Sequence, residues 1–134
     1  MTIKLDKLIQ NLRGELVRAE PLSRLTWLRV GGPADWLFAP ADVADLQNFL
    51  RQCPADIPVM ALGAGSNTLI RDGGVEGVVI HLGKHLNTIR HEANSLTAQA
   101  GCADAEVARY AARHALTGLE FMAVSYTHLT LPTT

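Results

Sequence analysis

No stretch of this chain is apolar over the roughly 18 residues that a membrane helix requires. The first residues, Met1-Thr2-Ile3-Lys4-Leu5-Asp6-Lys7, place charges where a secretory leader needs an apolar core, so a cytoplasmic protein is expected. An excess of either charge is lacking too. With 12 basic against 13 acidic residues and a net charge of −1, there is no broad basic field to hold nucleic acid or an anionic membrane. That leaves small molecules or protein as partners. Cysteine is scarce, and Cys53 and Cys102 stand far apart without a C-x-x-C pair, which argues against a metal or redox motif and suits two buried or half-buried thiols in a reducing compartment. Aromatic residues make up only 5%; Trp27 and Trp36 are expected to be core anchors rather than stacking platforms. His81, His85, His91 and His114 form no close pair with a carboxylate at ligand spacing, so no zinc site is expected. Internal repeats and low-complexity tracts are absent as well.

What is present suffices for one small domain: 134 residues, 48% of them hydrophobic. Ile3, Leu5, Leu8, Ile9 and Leu12 recur at helical spacing and predict an amphipathic helix from 3 to about 13, with Gly14 as its stop. Residues 21–30 read as extended and lead through Gly31-Gly32-Pro33 into a strand over 34–39, which Pro40 ends. Asp42 is the expected N-cap of a second helix running to about Gln52. Pro58 to Leu62 reads as a short buried strand, Arg71 to Gly74 as a tight turn, and Val75 to Leu82 as a β-branched strand. Two paired strands are expected at 87–91 and 95–100 across Glu92-Ala93-Asn94, then a helix from Asp104 that stops at Gly118. This order predicts an α+β fold with a mixed sheet and flanking helices rather than a doubly wound one.

The segment with chemical content is Ala61-Leu62-Gly63-Ala64-Gly65-Ser66-Asn67-Thr68-Leu69-Ile70-Arg71. Gly63 to Asn67 form a turn whose backbone can approach a ligand closely. Its successive N–H groups can make an anion-binding concavity, to which the Ser66 hydroxyl and Asn67 amide add donors, and a phosphate or pyrophosphate is the natural guest. An ordinary strand-to-strand loop uses the same residue types. The dinucleotide fingerprint G-x-G-x-x-G fails because position 68 is Thr, and no P-loop Gly-Lys-Ser/Thr follows.

Three segments in this order, Thr26-Trp27-Leu28-Arg29-Val30-Gly31-Gly32-Pro33-Ala34, Leu62-Gly63-Ala64-Gly65-Ser66-Asn67-Thr68-Leu69-Ile70-Arg71-Asp72 and Gly118-Leu119-Glu120-Phe121-Met122-Ala123, closely resemble the N-terminal part of the UDP-N-acetylenolpyruvoylglucosamine reductase family. The resemblance covers about residues 5 to 123. It implies an incomplete FAD-binding domain of the vanillyl-alcohol-oxidase (PCMH) type over 21–123, preceded by an N-terminal helix and lead-in over 1–20. It further implies that Gly63, Ala64, Gly65, Ser66 and Asn67 lie against the FAD pyrophosphate, with Thr68 and Leu69 continuing the cofactor wall. In that family NADPH reduces the flavin, which then reduces an enolpyruvyl nucleotide sugar to UDP-N-acetylmuramate for peptidoglycan. The family's catalytic groups fall beyond position 134, so no catalytic residue is assigned and the piece is expected to be inactive by itself. After Ala123 the family's Ile-Pro-Gly continuation is replaced by Val124 to Thr134. That stretch reads as an in-frame translation of a sequencing-library adapter, with a divergent native end as the alternative. A stand-alone phosphate- or nucleotide-binding module, or a piece of another oxidoreductase of the same flavin fold, stays open beside the reductase.

Overall fold

Trp36-Leu37-Phe38-Ala39 and Val78-Val79-Ile80 are apolar at consecutive rather than alternate positions, the pattern of strands covered on both faces. In the computed structural model, which describes residues 4–65 and 68–123, these two runs are the inner strands of a four-stranded sheet. The elements in chain order are α1 (Leu5–Leu8), β1 (Glu15–Pro21), a 3-10 turn (Leu22–Arg24), β2 (Pro33–Ala39), α2 (Val43–Gln52), β3 (Val59–Leu62), β4 (Val75–His81), β5 (Ile89–Glu92), β6 (Ser95–Ala98), α3 (Asp104–Arg113) and a closing 3-10 turn (Glu120–Ala123). The sheet runs β1-β2-β4-β3, and β5 and β6 form a separate hairpin. β1 is antiparallel to β2, whereas β4 is parallel to both β2 and β3. This is the expected α+β architecture with a mixed sheet.

Strand alternation divides the core in two. Trp36, Phe38, Val78 and Ile80 face α1 and α2, where they meet Leu5, Ile9, Phe49 and Ile57; the Phe38 and Phe49 rings stack at 4.6 Å. Leu37, Val79 and Leu62 face the other way and meet Leu22 and Ile70. Ala34 joins this second group because the β2–β4 register shifts between Ala34 and Trp36. Parallel neighbours cannot be joined by a hairpin, so residues 63–74 must cross back over the sheet from the end of β3 to the start of β4. That crossover and the loop from Leu22 to Gly32 cover the second face.

Four expectations about the elements are corrected. The first helix is one turn long, because the backbone after it is claimed by α2: Gln52 accepts from the Gln10 N–H at 3.0 Å, and Asn48 and Gln52 donate to the Gln10 carbonyl. Gly14 is no helix stop; it lies against Ala39 and Ala41, where a Cβ would meet the Ala39 carbonyl at 2.0 Å. Residues 15–21 are a strand, and the expected extended run 21–30 is a 3-10 turn and a loop instead. Ala19, at φ 55, drops out of the β1–β2 register and breaks the alternation that would have marked β1. β3 is an edge strand with Val59 and Ala61 exposed, not a buried one.

α3 also ends earlier than Gly118. The Leu116 N–H reaches the Ala111 carbonyl at 2.8 Å and the Ala115 N–H the Ala112 carbonyl at 3.3 Å, with Ala115 at φ 55. That is a Schellman ending with alanine in the left-handed position that glycine usually takes. Elsewhere the pattern was legible: Asp42 caps α2 by accepting from the Asp45 N–H at 2.9 Å. Ala93-Asn94 turn the β5–β6 hairpin, and the Gly74 N–H closes the 71–74 turn on the Arg71 carbonyl.

Candidate functional site

The glycine turn leaves β3 after Leu62 and is fixed by the loop that precedes β2. Trp27 donates its backbone N–H to the Gly65 carbonyl at 3.0 Å. Gly65 has φ +71, and a Cβ there would lie 2.1 Å from the Leu25 carbonyl. Further along, Gly32 donates to the Arg71 carbonyl at 2.9 Å, and a Cβ on Gly31 would strike the Ile70 side chain. Parts of the first two resemblance segments are therefore brought together, Trp27 against Gly65 and Gly31 and Gly32 against Ile70 and Arg71.

The glycines of the turn do different work. Gly65 is required by packing alone, since no side chain fits between it and Leu25. Gly63 is not: a Cβ there would meet only the Ala100 carbonyl at 3.5 Å, an ordinary contact, and its φ is not in the left-handed region. Packing among the described residues therefore does not require glycine at position 63.

Gly63 is half-buried, Ala64 exposed, Gly65 buried, Thr68 half-buried and Leu69 exposed; Ser66 and Asn67 lie outside the described residues. On its far side the turn adjoins Gly83, whose Cβ position is 3.2 Å from the Gly63 carbonyl, and Ala100. Ala100 in turn lines an open cleft of ≈ 770 Å³ together with Leu96, Gln99, Val107, Leu119 and Met122. Gly118, Leu119 and Met122 of the third resemblance segment line this cleft. Cys102 also lines it, and burial pushes its thiol pKa up. Both cysteines are free and half-buried, as expected.

Arg29 and Arg71, one on each of the two abutting segments, are exposed. Burial pushes the His81 imidazole below its usual range, with Lys84 and His85 acting in the same direction. The expectation for Trp27 is overturned: it is exposed on the loop that holds the turn, whereas Trp36 is buried as expected. Leu25, Gly83 and Ala100 were missed by sequence reasoning because they reach the turn through backbone contacts that carry no side-chain signature. His91 and His114 are exposed and hydrogen-bonded, His91 to the Tyr110 hydroxyl at 2.8 Å and His114 to the Tyr110 carbonyl at 2.8 Å. His91 and His114 approach to 4.5 Å between ring centres, with Tyr110 against both, because the hairpin packs on α3.

Residues 34–129 match the family model of the FAD binding domain. The UDP-N-acetylenolpyruvoylglucosamine reductase of Ruegeria pomeroyi is 57% identical over 101 residues, which make up 75% of this chain and 33% of the relative. The protein of the same name from Gluconobacter oxydans is 50% identical over 123 residues, 92% of this chain and 40% of that one. Among solved structures, the crystal structure of UDP-N-acetylenolpyruvylglucosamine reductase from Thermus caldophilus matches with a TM-score of 0.59 at 32% identity, covering 82% of this chain and 37% of that chain. The chain thus spans well under half the length of these relatives. The kinship expected from the three segments is met in sequence and in fold.

Proposed function

The chain belongs to the FAD binding domain family, and from that premise we propose that it is the flavin-binding part of a reductase that uses NADPH to convert UDP-N-acetylglucosamine enolpyruvate into UDP-N-acetylmuramate, in the cytoplasm, for peptidoglycan synthesis. The observation that carries the site is Gly63, a position kept free of a side chain that the fold would accommodate. In this reading the backbone of Gly63, Ala64 and Gly65, with Ser66 and Asn67, holds the FAD pyrophosphate. Thr68 adds a hydroxyl, Leu69 an apolar wall, and Arg29 and Arg71 offset the two phosphate charges. FAD, when bound, supplies hydride transfer; these residues bind and orient it and do no proton chemistry themselves.

Titration with FAD, ADP and a nucleotide sugar, read by calorimetry, tests the assignment. FAD is expected to bind more tightly than either, and Gly63→Ala to weaken it about tenfold without altering the thermal midpoint. Preference for ADP or a nucleotide sugar over FAD would sink the flavin reading in favour of a nucleotide-binding module.

A further inference from the structure

We propose that the Trp27 indole is a stacking platform for one of the two aromatic ring systems of the dinucleotide held at the glycine turn; this rests on the cofactor reading above. Trp27 is 66% exposed, and its loop neighbours Leu28 and Val30 are 59% and 46% exposed; Leu69, just past the turn, is 73% exposed. Scattered apolar exposure is common, but here the exposed residues sit on two abutting segments. The loop is built rather than loose. Thr26 is buried and its hydroxyl donates to the Val30 carbonyl at 3.4 Å, and the Arg29 N–H donates to the Thr26 carbonyl at 3.2 Å. The Trp27 N–H is tied to Gly65 itself, and Arg29 sits at φ 53, a left-handed conformation that is costly for a side chain of its size. A strained, pinned loop thus keeps a large aromatic surface in water next to the turn. The indole has no ring or hydrogen-bond partner among the described residues. A dinucleotide gripped at its pyrophosphate carries a planar ring system on either side of the grip, and stacking is the interaction an exposed indole offers to either.

The test exploits the fact that the chain has two tryptophans, of which Trp36 is buried. FAD, ADP and FMN are titrated into the full chain, with affinity measured by equilibrium dialysis and indole emission followed in parallel. Bound FAD is expected to shift the emission to shorter wavelength as Trp27 leaves water. Trp27→Leu should abolish the shift and weaken FAD about tenfold, and Trp27→Tyr should restore most of the affinity. A shift with ADP assigns the adenine to the indole; a shift with FMN alone assigns the flavin. FAD binding that leaves the emission unshifted, or Trp27→Leu binding FAD like the parent chain, overturns the inference and leaves the cofactor site standing. No FAD retained in dialysis by the parent chain overturns both.

Discussion

Asp45 is a carboxylate with only 2% of its surface exposed, yet its pKa is lowered. Burial pushes it up, and the N–H groups of Ala41, Arg13 and Gly14, at 2.9, 2.9 and 2.7 Å, together outweigh burial. One side chain thereby joins the lead-in to β1, the end of β2 and the start of α2. Asp45→Asn removes the charge and turns an amide NH2 toward N–H donors, so it is expected to cost about 3 kcal/mol, measured by urea unfolding with an unchanged m-value. Because the folded pKa lies below the unfolded one, the contribution of Asp45 is complete above the ordinary carboxylate range. It is lost as pH falls through the folded value. His81 has a lowered pKa as well, with the opposite protonation logic: the unfolded ring takes a proton near 6.5 while the folded ring resists it. Stability should therefore decline as pH drops through the unfolded value and level off once the folded ring also titrates. His81→Gln should flatten that limb of the stability profile, and an unchanged profile would show that the imidazole is not desolvated.

Among the elements, those legible in the sequence are the ones whose signals are local. α2 has its cap, its apolar spacing and its proline boundaries within one window, and it forms where those signals place it. β1 and the shortened α1 are decided by partners far along the chain: Asp45, Asn48 and Gln52 capture the backbone of residues 10–14 before a second helical turn can form. The end of α3 was misread for a related reason. Gly118 is the residue that usually stops a helix, but the left-handed position is occupied by Ala115. Ala115→Gly is accordingly expected to stabilise the chain by roughly 0.5–1 kcal/mol, since it relieves a strained φ at a helix end. A lowered midpoint in thermal unfolding would contradict the Schellman assignment. The candidate site divides in the same way. Its turn was legible because small residues between two apolar runs are a local signal. The loop carrying Trp27 was not, because backbone contacts with Gly65 and Arg71, distant in the chain, bring it there.

At the scale of the whole molecule, the turn is the place where two structural units meet. One is the four-stranded sheet with α1 and α2, and the other is the β5–β6 hairpin with α3. They touch through Gly63 and Ala100, and through Gly101, whose Cβ position is filled by the Leu82 carbonyl. A two-stranded hairpin is marginal by itself, so its order depends on this seam. A ligand seated at Gly63 should therefore stabilise both units at once, rather than the turn alone. At a free FAD concentration 100 times its dissociation constant, the gain is about 2.7 kcal/mol. Amide hydrogen exchange should show it in residues 63–74 and also in residues 86–101 of the hairpin unit. If protection rises around the turn and the hairpin amides exchange as before, the units are uncoupled and the seam is only a contact. If Gly63→Ala removes the protection from both while the free chain unfolds at the parent midpoint, the absence of a side chain at that one position links ligand binding to the cohesion of the whole fold.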